Sequence, residues 1–192
     1  RVRRQRQMCI RDRKIMRVIA GTRRSMPLKA PVGMDTRPTQ DRTKETLFNV
    51  LQNEIPGAEF LDLFAGSGAI SIEALSRGAS YATLVENNKN AVSCIKDNLK
   101  FTKFSDEATL METDVMAALY KLGGHKEFDI VFMDPPYNLE IEAQVLKTMN
   151  NMASVTEYTT VIIEASLKRD LSFVEECGFR IVKVKQLSLI HI

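Results

Sequence analysis

The sequence predicts an α/β fold whose sheet is doubly wound and mostly parallel. From about residue 59, short apolar runs alternate with longer amphipathic segments. The short runs are apolar throughout, which is typical of strands buried on both faces of a sheet. A glycine-rich turn, Ala65-Gly66-Ser67-Gly68, joins the first such strand to the helix that follows it. Strand, glycine turn and helix in this order indicate a Rossmann-like, nucleotide-binding unit.

The remaining elements follow the same alternation. A short hairpin is predicted over 17–20 and 26–29, and Thr39 can cap a helix that runs to about Asn53. The apolar face of that helix would carry Leu47, Phe48, Val50 and Leu51. Strands are predicted over 59–64, 80–86, 108–112, 128–133, 159–164 and 179–185. Helices are predicted between them over 67–77, 89–100, 114–122, 140–152 and 169–177.

Acidic residues lie near the carboxyl ends of the first three predicted strands, on the same side of the sheet as the glycine turn. Glu86 lies about 20 residues past the glycines, where a Rossmann unit places its ribose-binding carboxylate. Asp114 is either an acceptor for an adenine amine or a plain helix N-cap. Asp62 would face a cationic ligand and not a pyrophosphate. S-adenosylmethionine, with its ammonium and sulfonium, is therefore the predicted cofactor, with a site made of Asp62, Gly66, Ser67, Gly68, Glu86 and Asp114.

A second motif, Asp134-Pro135-Pro136-Tyr137, follows the apolar run at 128–133. The exocyclic amine of a nucleobase is a poor nucleophile because its lone pair is delocalised into the ring. A carboxylate and a backbone carbonyl can accept its two hydrogens, and consecutive prolines stiffen such a turn because they fix φ and lack an N–H. Asp134, Pro135 and Tyr137 are therefore predicted as catalytic, with Tyr137 stacking on the base. The alternative is an ordinary Pro-Pro loop.

The residues at both ends of the chain resemble the translation of a sequencing-library transposon adaptor. Residues 8–12 can be encoded by ATG TGT ATA AGA GAC and residues 187–191 by CTG TCT CTT ATA CAC, which are reverse complements over most of their length. Residues 1–15 and 187–192 are therefore interpreted as adaptor scars. Between them lie a basic extension, 16–54, and the main domain, 55–186. The alternative is a natural basic tail and a final strand.

Positive charge is concentrated near the start of the chain. Residues 16–44 carry seven basic and two acidic residues, whereas residues 45–192 carry thirteen basic and twenty-one acidic ones. A basic segment on an acidic body predicts a local contact with a phosphate backbone, although a solvated basic surface is the alternative. The predicted RNA-binding residues are Arg23, Arg24, Arg37, Arg42 and Lys44.

Length and cysteine usage limit the remaining possibilities. The chain of 192 residues is long enough for one domain with a full core. No apolar run reaches the roughly 18 residues that a membrane span needs. Cys94 and Cys177 show no metal or disulfide spacing, which indicates buried thiols in a reducing cytoplasm and no metal site.

With these residues, the chain resembles the small-subunit ribosomal RNA guanine-N2 methyltransferases, the RsmD family, from residue 16 to about 186. The most specific phrases are Met16-Arg17-Val18-Ile19-Ala20-Gly21, Thr36-Arg37-Pro38-Thr39, Asp41-Arg42 and Lys44-Glu45-Thr46-Leu47-Phe48-Asn49, ahead of the two motifs. The resemblance implies a seven-stranded, S-adenosylmethionine-dependent fold. It implies methylation of a guanine N2 amine in ribosomal RNA, within a small-subunit particle. It also implies a final strand after 182–185, where adaptor-like residues stand. We expect a cytoplasmic monomer.

Two other functions stay open. DNA or other RNA amino-methyltransferases of the adenine-N6 type use a similar acidic-Pro-Pro-aromatic turn on a flipped base. Such enzymes usually add a target-reading domain, for which this chain has no room. The other function is that of a catalytically silent RNA-binding assembly factor. The intact acids and glycines of both motifs argue against it.

Overall fold

The central element is a five-stranded parallel sheet with strand order β3-β2-β1-β4-β5. The computed structural model describes residues 16–31, 41–124, 126–136, 141–166, 169–187 and 190–191. The strands are β1 (Glu59–Asp62), β2 (Tyr81–Val85), β3 (Ala108–Met111), β4 (Ile130–Met133) and β5 (Thr160–Ile163). The predicted doubly wound α/β class is confirmed. The strand order reverses between β1 and β4, and sheets of this kind bind ligands in the crevice beyond that point.

Helices cover both faces of the sheet. They are α1 (Asp41–Val50), α2 (Ala69–Ser76), α3 (Lys89–Thr102), α4 (Val115–Leu122), α5 (Glu142–Met149) and α6 (Phe173–Glu176). Side chains of β1 alternate between two cores: Phe60 packs with α1, α2 and α3, whereas Leu61 packs with α4, α5 and α6. None of the helices within the described ranges is long and apolar enough to cross a membrane.

The segment 16–31, called here the N-terminal arm, is folded back as a hairpin. Arg17 pairs with Pro27 in an antiparallel bridge, and the Val18 N–H donates to the Met26 carbonyl at 3.0 Å. This confirms the predicted hairpin. At the tip, Gly21 has a φ of 81°, and a Cβ there would lie 1.8 Å from the Ser76 carbonyl oxygen. Only glycine lets the tip approach the end of α2 this closely.

The C-terminal region differs from the prediction. The segment 179–185, predicted as a strand, lies outside any strand, and Val182 is 83% exposed. Its apolar residues predicted a strand, but β-propensity requires a pleated, half-buried surface, which an exposed segment lacks. A small antiparallel sheet forms instead from β6 (Ala165–Ser166), β7 (Gln186–Leu187) and β8 (Ile190–His191). Within the described residues the main sheet therefore has five strands, not the implied seven.

Several helix and strand ends also shifted from the predicted positions. The largest shift is in α6, predicted to begin at 169 and found from Phe173. The carboxylate of Asp170 accepts hydrogen bonds from the backbone N–H and the hydroxyl of Ser172, at 3.0 and 2.8 Å. This local turn competes with helix formation. Thr39, the predicted cap of α1, lies outside the described residues.

Candidate active site

Four acidic residues stand at the carboxyl ends of four neighbouring strands. Asp62 ends β1, whereas Glu86, Asp134 and Glu164 directly follow β2, β4 and β5. In the parallel register, Asp62 is level with Leu84 and Phe132. Glu86 and Asp134 lie two residues beyond those positions. Because side chains two residues apart share a face, all three acids belong to the same face of the sheet.

The glycine turn puts its two glycines to different uses. Gly66, with φ of 55°, has no atom within 4 Å of an added Cβ, so its outer side is open to a ligand. Gly68, with φ of 75°, is packed against the core, because a Cβ there would lie 3.3 Å from Leu84 and 3.4 Å from Ile95. The turn therefore combines close packing of α2 with an accessible backbone, as a nucleotide-binding turn requires.

Glu86 is held in place by the backbone. Its Oε2 accepts from the Gly66 N–H at 2.9 Å, and its Oε1 accepts from the N–H groups of Asn87 and Asn88 at 3.0 and 2.8 Å. The carboxylate is half-buried. These bonds fix its orientation beside the glycine turn, and about one of its four acceptor sites remains for a further donor.

Asp62 is a buried carboxyl group beneath the same turn. Its Oδ2 accepts from the Ser71 hydroxyl at 2.8 Å, but Oδ1 has no hydrogen-bond partner among the described residues. Burial raises the pKa of Asp62 to about 7, and the nearby carboxylates of Asp134 and Glu86 add to this effect. A cation bound at this point would stabilise the ionised form.

Asp114 and Ser67 complete the predicted cofactor residues. Asp114 is the N-cap of α4, since its Oδ1 accepts from the Ala117 N–H at 3.0 Å. Asp114 is therefore a helix N-cap, which was one of the two roles predicted for it. A contact of this exposed carboxylate with adenine stays a prediction. The Ser67 hydroxyl donates to the Met16 sulfur at 3.4 Å, so the glycine turn contacts the N-terminal arm.

The second motif lies one strand away from Asp62. Asp134 follows β4 directly, Pro135 is buried and Pro136 is exposed. Burial raises the pKa of Asp134 to about 6. The carboxyl group is thus a stronger base than an ordinary aspartate, yet it is mostly ionised at neutral pH. Tyr137 lies outside the described residues, and its stacking role stays a prediction.

Two buried polar residues that the sequence reading missed connect the arm to this site. Glu73 is fully buried and accepts from the N–H groups of Ile19 and Ala20, at 2.7 and 3.0 Å. The Asn98 amide donates to the carbonyls of Ser67 and Lys29, at 2.9 and 3.0 Å. A glutamate inside the apolar helix α2 was the available signal, because a charged residue is rarely buried without a partner.

The residues of the predicted RNA-binding face differ in their exposure, and their contact with RNA stays a prediction. The assignment of Lys44 is wrong: its side chain is fully buried, its ammonium donates to the Arg17 carbonyl at 2.6 Å and lies 3.9 Å from Glu73. Burial lowers the pKa of Lys44. Arg23 is half-buried, donates to the Thr102 carbonyl at 2.7 Å and lies over the Phe104 ring.

Arg24 is exposed at the tip of the arm. Arg23 beside it is fixed to the end of α2, because its backbone N–H donates to the Ser76 hydroxyl at 2.9 Å. The last residues of α2 lie near the amino ends of the strands, whereas the glycine turn lies at their carboxyl ends. A phosphate bound at Arg24 would therefore be remote from Asp134. Arg37, and the side chain of Arg42, lie outside the described residues.

Comparisons with known proteins identify the family and the fold. A family model described as "Conserved hypothetical protein 95" matches residues 16–191. YlbH of Bacillus subtilis (strain 168), provisionally named an rRNA methyltransferase, is 35% identical over 172 residues, which are 89% of this chain and 92% of that protein. Ribosomal RNA small subunit methyltransferase D of Haemophilus influenzae is 38% identical over 135 residues, which are 70% of each. A solved structure of a hypothetical protein from Thermus thermophilus superposes with a TM-score of 0.79 at 26% identity, covering 92% and 96% of the two chains.

Proposed function

The chain belongs to the Conserved hypothetical protein 95 family, the RsmD family of ribosomal RNA methyltransferases, and from this premise we propose its reaction. It transfers a methyl group from S-adenosylmethionine to the exocyclic N2 amine of a guanine in small-subunit ribosomal RNA. The substrate is the RNA within an assembling small-subunit particle, and the protein acts in the cytoplasm as a monomer.

One observation carries this proposal. The glycine turn with Asp62 and Glu86 lies beside the Asp134-Pro135-Pro136 turn, because β1 and β4 are neighbours in the sheet. The residues proposed to bind the cofactor and those proposed to orient the amine thus stand at the ends of neighbouring strands. Holding two reactants side by side is itself a large source of rate, worth about 7–11 kcal/mol in well-oriented systems.

The residues present fit S-adenosylmethionine. Asp62 leaves one buried oxygen without a hydrogen-bond partner among the described residues, and a cationic ligand would satisfy it. Glu86 would accept from the ribose hydroxyls, and the open side of Gly66 admits close approach of the ligand. Asp114 would meet the adenine amine. When bound, the cofactor would supply an electrophilic methyl group and leave as a neutral thioether.

The residues of the second motif would prepare the acceptor. Asp134 accepts one hydrogen of the guanine amine and the Pro135 carbonyl accepts the other, which turns the N2 lone pair outward. As N2 gains positive charge during transfer, Asp134 stabilises it and takes the surplus proton. Tyr137 stacks on the base face. No covalent intermediate with the protein and no metal is needed.

Methyl transfer from labelled cofactor tests the proposal. Small-subunit particles, free ribosomal RNA and duplex DNA are each incubated with the protein, and the labelled nucleoside is then identified. Label in N2-methylguanosine of RNA is expected. Label in an N6-methylated adenine would favour the amino-methyltransferase alternative, and RNA binding without transfer to any substrate would favour the silent assembly factor.

A further inference from the structure

We propose that Glu164 reads the ring N1–H of the target guanine and so determines which base is methylated. This inference rests on the proposed transfer to guanine N2. It assigns Glu164 a contact with the substrate base, beside the amine-orienting carboxylate of Asp134.

The register of two strands places these acids next to each other. β4 and β5 are parallel neighbours, with Met133 level with Ile163, and the Glu164 N–H donates to the Met133 carbonyl at 2.9 Å. Asp134 and Glu164 each stand one residue beyond this last pair. Neighbouring strands lie about 4.8 Å apart, so the two backbones are separated by about one strand spacing.

The two side chains also share a face. Phe132 and Ile162 are level with each other and both pack in the core beneath α1, α2 and α3. Asp134 and Glu164 lie two residues beyond them and therefore belong to that face. Glu164 is 7% exposed. Two carboxylates from adjacent strands thus face one crevice, where each can accept a hydrogen bond from a bound base.

Guanine carries the matching pair of donors. Its N2 amine and its N1–H are adjacent on one edge, so a base held at Asp134 by N2 can donate N1–H to Glu164. In adenine and cytosine, the ring nitrogen beside the amine on that edge is an acceptor. A carboxylate placed there would repel it, and leave both groups unsatisfied. An acid at position 164 therefore favours guanine and disfavours the two other amine-bearing bases.

The test replaces the base and the residue in turn. The methylated guanine is first mapped in the RNA, then replaced by 2-aminopurine, which keeps the C2 amine but has an unprotonated N1. Wild-type protein should prefer the guanine RNA by at least about 100-fold in kcat/KM. Glu164→Gln should reduce this preference at least about 10-fold, because an amide can donate to N1 of the analogue.

A matched control is Glu142→Gln, another buried acid, which begins α5 and whose carboxylate lies 3.5 Å from Arg169. Its preference for guanine should equal that of the wild type. If Glu164→Gln lowers kcat/KM equally on both RNAs, Glu164 is a structural residue and the inference fails.

A measurement on the wild type alone covers the case in which Glu164→Gln does not fold. Methylation of the 2-aminopurine RNA within about threefold of the guanine RNA would overturn the inference, because no N1–H would be read. Absence of wild-type transfer to any guanine N2 would instead overturn the proposed function on which the inference rests.

Discussion

At the carboxyl ends of the strands, the acidic residues of the two halves of the sheet have different environments. In the cofactor half, at the ends of β1, β2 and β3, Glu86 is bound by three backbone N–H groups and Asp114 by one. In the target half, at the ends of β4 and β5, Asp134 is characterised by burial, which raises its pKa. Hydrogen bonds from the backbone fix the position of a carboxylate, whereas burial makes it a better base.

This difference matches the two tasks proposed for the edge. A cofactor site benefits from acceptors whose positions are fixed before binding, because less ordering is then needed. A proton-accepting site benefits from a pKa near the working pH. Within the cofactor half, Asp62 is next to the target half and combines both features: the Ser71 hydroxyl donates to one of its oxygens, and burial raises its pKa.

The largest expected effect is in the target half. Asp134→Ala should lower the single-turnover rate of methyl transfer at least about 100-fold, since it removes the acceptor that orients and deprotonates N2. Cofactor affinity should stay within a few-fold of the wild type. Asp129→Ala is the control, because Asp129 lies just before β4, at the opposite end of the same strand. A near-normal rate for Asp134→Ala would identify the Pro-Pro turn as structural.

In the cofactor half, Glu86→Ala should weaken S-adenosylmethionine binding by about 1–3 kcal/mol, the usual loss for a charged hydrogen-bond partner. Isothermal calorimetry measures this directly. Glu112→Ala provides the comparison, since Glu112 is an exposed acid that pairs with Lys96. Unchanged affinity in Glu86→Ala would remove Glu86 from the site and leave the three backbone bonds as its whole role.

The pH dependence should separate the halves further. With saturating cofactor, the transfer rate should fall about tenfold per pH unit below about 6, because the pKa of Asp134 is raised to about 6 and the protonated group cannot accept from N2. The rate should level off above that pH. Single-turnover assays from pH 5 to 8 measure the profile, and a rate that stays constant from pH 7 to 5 would contradict a base role for Asp134.

The smallest expected effect is at the tip of the N-terminal arm. Arg24→Ala should reduce the log–log salt slope of RNA binding by about 0.7–0.9, the value for one lost phosphate contact. Transfer at saturating RNA should not change, because the tip is remote from Asp134. Lys121→Ala, an exposed lysine in α4, is the control. An unaltered slope would mean that Arg24 is a solvated surface residue.

The arm shows how far sequence reasoning reaches. Its hairpin was predictable from local pattern, and so was its positive charge. The burial of Lys44 was not, because the partners that hold it, the Arg17 carbonyl and Glu73, come from other segments. Counting charges assumes exposure, and exposure depends on which elements pack together. The same limit hid Asn98, whose partners Ser67 and Lys29 are distant in the chain.

The sequence by itself determined the alternation of strands and helices, the glycine turn and the positions of Asp62, Glu86 and Asp134 at strand ends. These features are local, since they follow from apolar periodicity and turn chemistry. Only the tertiary structure decided strand order and register, and therefore that Asp134 and Glu164 follow neighbouring strands, β4 and β5. It also left 179–185 outside any strand. Strand pairing joins segments far apart in the chain, and no local pattern of residues specifies which edge a strand will find.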